Sequence, residues 1–543
     1  MDIIDKYLKF REEYENYIAP LSRETHLAYF NATISGKSED YQKAAELELK
    51  LSEYYADKEK FEFLKEVKTS GKLNEPVLQR ELELIYNSFA ANQFDENLRK
   101  KIIEISTELE RKFATYRAEV NGKQITDNEL DEILETSTDG KQLEATWKAS
   151  KKIGALIANE VIELAKLRNE AARQLGYENY HAMSLELGEQ SAEELDKLFD
   201  ELDELTSPAF EKLKEEIDAH LAEKYGVRVS ELRPWHYQDK FFQQGPKFVD
   251  LDLDEYYKDK DVVEIVRNYY NGIGLEIDDI LAKSDLYEKP GKYQHAYCTD
   301  IDRNGDVRVV CNVKPNYKWT GTLLHEFGHA VYDKYIKREL PWELRTHAHI
   351  FTTEAIAMLF GRMAANPAWL RDAVGIASNE AEHVAPKCDK TLAAEQLIFS
   401  RWVQVVYRFE KAMYENPERD LNALWFELVE KYQKLKIPEG RSAPDWAAKI
   451  HIALYPAYYH NYILGEILAS QLYYYISEKV LDGKFPQNYS FVNQKDTGEY
   501  LRHLFFEYGA LYRWDKLIVK ATGEELTPKY YARQFVNKIE STE

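Results

Sequence analysis

The chain reads as an all-α, mostly helical protein interrupted by one short β-hairpin. Three observations lead to that fold class. Apolar residues recur with helical rather than alternating spacing over most of the 543 residues. Only 16 Pro and 23 Gly are present, and no Pro/Gly/Ser linker, charge block, internal repeat or low-complexity tract divides the sequence, so a single domain over 1–543 is expected. One stretch alone combines β-prone runs with a hairpin turn signal. A 44% hydrophobic fraction, with 39 Tyr and 23 Phe, is ample for a large core.

Taken in order, residues 1–120 hold long charged-amphipathic stretches, among them Tyr41 to Tyr55 and Glu81 to Tyr116, rich in Glu, Lys, Leu and Ala. Their charged runs read as solvated helix faces. Ser191-Ala192-Glu193-Glu194 has the form of a capping box that opens another helix. The same style returns through 395–435 and 457–482. The exception is His295 to Ile301 and Val307 to Cys311, which flank Asp302-Arg303-Asn304-Gly305-Asp306. Asn-Gly between β-prone runs predicts a hairpin. Asp300, Asp302, Asn304 and Gly305 also fit the start of a Ca²⁺ loop. Its twelfth position, however, requires a bidentate acid and here holds Cys311.

A formal charge of −23 repels phosphate backbones and anionic lipid, which argues against nucleic-acid and membrane-surface roles. Cys298, Cys311 and Cys388 are too few and odd in number for a disulfide framework, although Cys298 and Cys311 could face each other across the hairpin. The first residues show no basic and apolar leader, and no run approaches transmembrane length, so a cytoplasmic location is expected.

The residues richest in chemistry are His325-Glu326-Phe327-Gly328-His329, which read H-E-x-x-H. On a helix, residues four apart share one face, so both imidazoles reach one ion. Zn²⁺ accepts such nitrogens readily, and Glu326 sits where it can act as base toward the attacking water. Catalytic zinc needs a third protein ligand. The pattern with a third histidine requires Gly at 332 and His at 335, where this chain has tyrosines. Glu339 and Glu343 flank Pro341 and read as loop residues. Glu354 stands alone in the apolar run Ile350 to Phe360, where a carboxylate is costly unless it is paired or metal-bound. The expected site is therefore one Zn²⁺ held by His325, His329 and Glu354. His347 and His349 are weaker candidates.

With these residues in place, the chain resembles the gluzincin metallopeptidases of the angiotensin-converting-enzyme-like peptidyl-dipeptidases, and their relatives in the thimet oligopeptidase and oligoendopeptidase F group. His295-Ala296 precedes the motif at the family's distance and resembles its His-Ala pair that contacts substrate backbone. Lys449-Ile450-His451 matches a K-x-H motif, and Tyr459 and Tyr462 resemble the tyrosine pair that follows it. Asp239 to Gln243 resembles the segment whose Gln helps hold a substrate C-terminal carboxylate. Leu27 to Thr33 also has a family look.

The resemblance implies a helical ellipsoid with a deep central cleft, a short hairpin beside the zinc, and N-terminal helices (about 1–120) serving as a lid. It implies Glu326 as general base, with Tyr462 and His451 assisting the oxyanion. His295, Ala296, Gln243, Lys449 and Tyr459 would bind substrate, with Tyr458 as the alternative to Tyr459. The expected substrates are short unfolded peptides, with no obligate protein partner. Release of C-terminal dipeptides is the leading activity. Cleavage inside short peptides is the competitor, and a peptide-binding protein without catalysis is the distant third. Three departures stand out. Glu354 lies one residue further from the motif than in the converting-enzyme type. Met358 stands where that type has an Asp, so support for a zinc histidine must come from elsewhere. Asn461 replaces an Arg associated with chloride, which argues against chloride activation.

Overall fold

The computed structural model describes residues 2–483 and 489–540. Helices dominate, and the described β-structure is two separate two-stranded antiparallel sheets. The expected all-α class is correct. No described helix is long and apolar enough to cross a membrane. By its internal contacts the chain forms two compact units, each built from three segments. The first contains Met1–Gln93, Leu251–Cys388 and Leu464–Tyr530, and the second contains Phe94–Asp250, Asp389–Ile463 and Tyr531–Glu543. The stretch 1–120 is therefore shared between the units.

In the first unit, a 33-residue helix (Ile3–Ser35) turns at Gly36 into the Ser38–Tyr55 helix. Tyr7, Tyr14, Ile18, Leu64, Ile85 and Phe89 close around Trp342 as one apolar cluster. Tyr14 donates to Glu343 at 2.9 Å, so this buried acid is occupied in the packing of the N-terminal helices. The predicted hairpin forms, with Tyr297–Asp300 antiparallel to Val307–Val310. Its register pairs Cys298 with Val309, and Cys298 and Cys311 are both free thiols.

The H-E-x-x-H motif lies in the Tyr317–Tyr335 helix, which starts where the Asn316 side chain accepts from the Trp319 N–H at 2.8 Å. The Ile350–Gly361 helix packs against it. Gly328 sets how closely the two approach, because a Cβ there would stand 2.7 Å from the Ala357 Cα. A glycine at this point is a packing requirement, and it brings Glu354 within reach of both motif histidines.

The second unit is organised by long helices, Gly140–Gln174 and Ala192–Tyr225 among them, with Trp402 and Trp446 fully buried. Ser191 caps the Ala192–Tyr225 helix through the Glu194 N–H at 3.4 Å, so the serine half of the predicted box is made. Two features differ from the sequence reading. The continuous stretch Glu81 to Tyr116 is broken into Pro76–Ala90 and Glu96–Thr115. Asp95 makes the break by capping the second helix through the Leu98 N–H, a side-chain bond that competes with continued helix. A second hairpin, Ala118–Val120 with Lys123–Ile125, turns at Asn121-Gly122 with both residues at positive φ. The Asn-Gly signal was present there too, but the strands of three residues are too short to show alternation.

Candidate active site

One turn of helix separates His325 from His329, and it brings their Nε2 atoms to 3.2 Å from each other. Glu354 Oε2, from the neighbouring helix, lies 3.6 Å from the first and 3.8 Å from the second. Corners of a tetrahedron around zinc, with bonds of about 2.0–2.1 Å, stand about 3.3–3.4 Å apart. The three donors thus form the face of such a tetrahedron with little adjustment. Among the described residues they are the one group of His, Cys and acidic side chains close enough together to hold a metal.

The electrostatics of these side chains also point to a cation. Burial pushes the His325 imidazole down to about 4 and lowers His329 further below its usual range. Burial raises Glu354 to about 7, with the Glu466 carboxylate adding to the shift. Glu326 rises to about 8, chiefly through burial and then through Glu354, while the Cys298 N–H opposes the shift. Neutral imidazole and ionised carboxylate are the forms a metal requires, and a divalent ion among them would favour the second. Glu354 Oε2 is buried and has no hydrogen-bond donor within the protein, as expected of an atom shaped to bind a metal. The donor set therefore fits Zn²⁺.

His329 Nδ1 lies 2.7 Å from Thr353 Oγ1. With Nε2 turned toward the metal position, Nδ1 carries the proton and donates to the hydroxyl. Thr353, only 3% exposed, thus supplies the support that Met358 cannot. The Cys298 N–H, on the hairpin strand, opposes the upward shift of the Glu326 carboxylate. His295 and Ala296 precede that strand, with His295 exposed and its ring 5.2 Å from Tyr293.

Beside His325 and Glu326, the first unit has a cavity of ≈ 320 Å³ whose wall also includes Gly321, Gly361, Arg362 and Glu466. Arg362 Nε donates to Glu466 Oε2 at 2.9 Å, and its Nη1 donates to Ser470 at 3.0 Å. Sequence reasoning missed Thr353, Arg362 and Glu466. Glu466 carried the signal that identified Glu354, a lone carboxylate in the apolar run Ile463 to Leu468.

The remaining expected residues gather in the second unit. Lys449 Nζ donates to Gln243 Oε1 at 2.7 Å, across 206 residues of sequence. Its ammonium lies 5.2, 5.4 and 5.8 Å from the ring centres of Tyr459, Trp402 and Phe241. Burial pushes Lys449 down to about 8, against the pull of Asp239. The Tyr459 hydroxyl accepts from Trp402 Nε1 at 2.8 Å. The His451 ring is 4.9 Å from that of Tyr459 and 6.4 Å from that of Tyr462, and Tyr459 is 5.2 Å from Tyr462. Burial, and then Lys449, hold His451 down at about 4. Asn461 accepts from Gln190 Nε2 at 2.9 Å and is buried, a neutral contact in place of the Arg of the converting-enzyme type.

Comparison with known proteins agrees with this chemistry. The model of peptidase family M3 matches residues 133–537, three quarters of the chain. The model described as angiotensin-converting enzyme matches residues 4–234. A curated relative, thermostable carboxypeptidase 1 of Pyrococcus furiosus, is 22% identical over 410 residues, which cover 69% of this chain and 72% of the relative. With an H-E-x-x-H helix, a glutamate on the next helix within reach of both histidines and this family match, the chain belongs to peptidase family M3 and is a zinc metallopeptidase.

Proposed function

We propose that this peptidase shortens short unfolded peptides by releasing C-terminal dipeptides. The observation that carries the reading is the Lys449–Gln243 pair beside Tyr459. A buried ammonium, a directed amide and a phenol have the charge and donors to bind a free carboxylate. The name of the Pyrococcus furiosus relative, a carboxypeptidase, supports an exopeptidase.

His325, His329 and Glu354 would hold Zn²⁺, which when bound polarises the scissile carbonyl and makes water a stronger nucleophile at neutral pH. Glu326, buried beside the candidate ligands, takes a proton from the attacking water and delivers it to the leaving amine. By the family resemblance, Tyr462 donates its phenol to the developing oxyanion with His451 assisting, and His295 and Ala296 bind the substrate backbone. By the same resemblance, Gln243, Lys449 and Tyr459 hold the terminal carboxylate of the substrate.

The test compares a short peptide bearing a free C-terminus with its C-terminal amide, using the zinc-loaded protein and fragment masses. Loss of a dipeptide from the acid alone is expected. Equal internal cleavage of both would give the activity to an oligoendopeptidase instead. Glu326→Gln should lower kcat by roughly 10²–10⁴-fold while zinc content, measured by atomic absorption, stays at one per chain.

A further inference from the structure

Glu466 and Arg362 are a second charged pair on the cavity wall that also carries His325 and Glu326. The pair is held tightly. Arg362 donates to Glu466 Oε2 through both Nε and Nη2, to the Glu466 carbonyl at 2.8 Å, and to Ser470. Its guanidinium is thus committed to the Glu466 helix through several of its five N–H groups. A carboxylate offers about four acceptor sites and can serve another donor while keeping Arg362. The side chains are 7% and 11% exposed, so a charge meeting Glu466 there is poorly screened. The cavity, whose wall also includes Thr322 and Met358, is of ligand-pocket size at ≈ 320 Å³. The chain's formal charge of −23 adds a long-range field that favours cationic peptides.

We propose that Glu466 determines specificity, accepting a hydrogen bond from a Lys or Arg side chain next to the scissile bond. Arg362 acts through it as a positioning residue, fixing the carboxylate toward the cavity. The inference rests on the reading that the cut occurs beside His325 and Glu326, and it is independent of whether a dipeptide leaves.

The experiment uses free-acid hexapeptides carrying Lys, Leu or Glu at each of the two positions flanking the mapped cut. The zinc-loaded wild type should prefer Lys over Leu, with Glu worst, at one of those positions. In Glu466→Gln, which still accepts from Arg362, the Lys-to-Leu ratio of kcat/KM should fall roughly 30-fold or more, mainly through KM. Glu466→Asp should restore part of it. Calorimetric binding of the same peptides to Glu326→Gln, whose turnover is slowed roughly 10²–10⁴-fold, should show the same Lys preference. A wild type that treats Lys and Leu alike overturns the proposal without any Glu466 variant having to fold. So does a ratio unchanged in Glu466→Gln. Fragment masses report separately whether a terminal dipeptide leaves, so failure of the dipeptide reading is a distinct result.

Discussion

Gly328 lies against Ala357 so closely that a methyl group in its place would stand 2.7 Å from the Ala357 Cα and 3.1 Å from its amide nitrogen. The obstacle is backbone, which cannot rotate aside. Gly328→Ala should therefore force the two ligand-bearing helices apart. The expected cost is about 1–3 kcal/mol of stability. Zinc affinity should fall with it, because Glu354 is carried on the displaced helix. Thermal unfolding with and without a chelator measures both. Wild-type zinc affinity in this variant would disprove the packing argument.

Thr353→Val keeps the shape of the side chain and removes the hydroxyl that holds His329 Nδ1. Loss of such an outer partner typically costs about 10–100-fold in metal affinity or activity. Competition with a fluorescent zinc chelator is the direct measurement. Thr353→Ser should retain near wild-type affinity, which separates loss of the bond from loss of packing.

Lys449 loses its charge as pH rises through about 8, its value in this buried position. The charge is present below that pH and absent above it. For a free-acid peptide KM should rise above about pH 8, whereas for the C-terminal amide it should not follow this titration. Lys449→Met should show the high KM for the acid at every pH. Identical pH profiles for acid and amide would remove Lys449 from carboxylate binding.

Glu410 is buried near Arg168, and burial raises it from 4.5 to about 8 against the opposing pull of the Ala457 N–H and Arg168. Its folded value is the higher one. The stability it contributes is complete below about 4.5 and is lost as pH rises toward about 8, because only the unfolded chain ionises easily in that window. Glu410→Gln should flatten the fall in unfolding midpoint between these pH values. An unchanged slope in urea titrations would show that Glu410 does not titrate there.

How much was legible in sequence depended on the range of each interaction. The His325/His329 pair is a consequence of helix geometry over four residues. Glu354 was visible because a lone acid in an apolar helix must be paired or metal-bound to offset the cost of its burial. The hairpin at Asn304-Gly305 came from the same kind of local rule, and its twin at Asn121-Gly122 was missed because its strands span only three residues each. The helix break at Asp95 was hidden for a different reason, since amphipathic periodicity runs on across a capped interruption. The family resemblance named Gln243 and Lys449, but only the fold placed them 2.7 Å apart.

By itself, then, the sequence determined the helical class, the peptidase chemistry of the motif and the identity of its candidate ligands, all carried by neighbours within a turn or two of helix. Tertiary structure alone decided the distances from Glu354 to His325 and His329, the support of His329 by Thr353, and the presence of Glu466 and Arg362 on the same wall as Glu326. Those relations are set by how closely helices pack. Packing is governed by contacts such as Gly328 against Ala357 and Gly465 against Glu354, between residues that no local pattern connects.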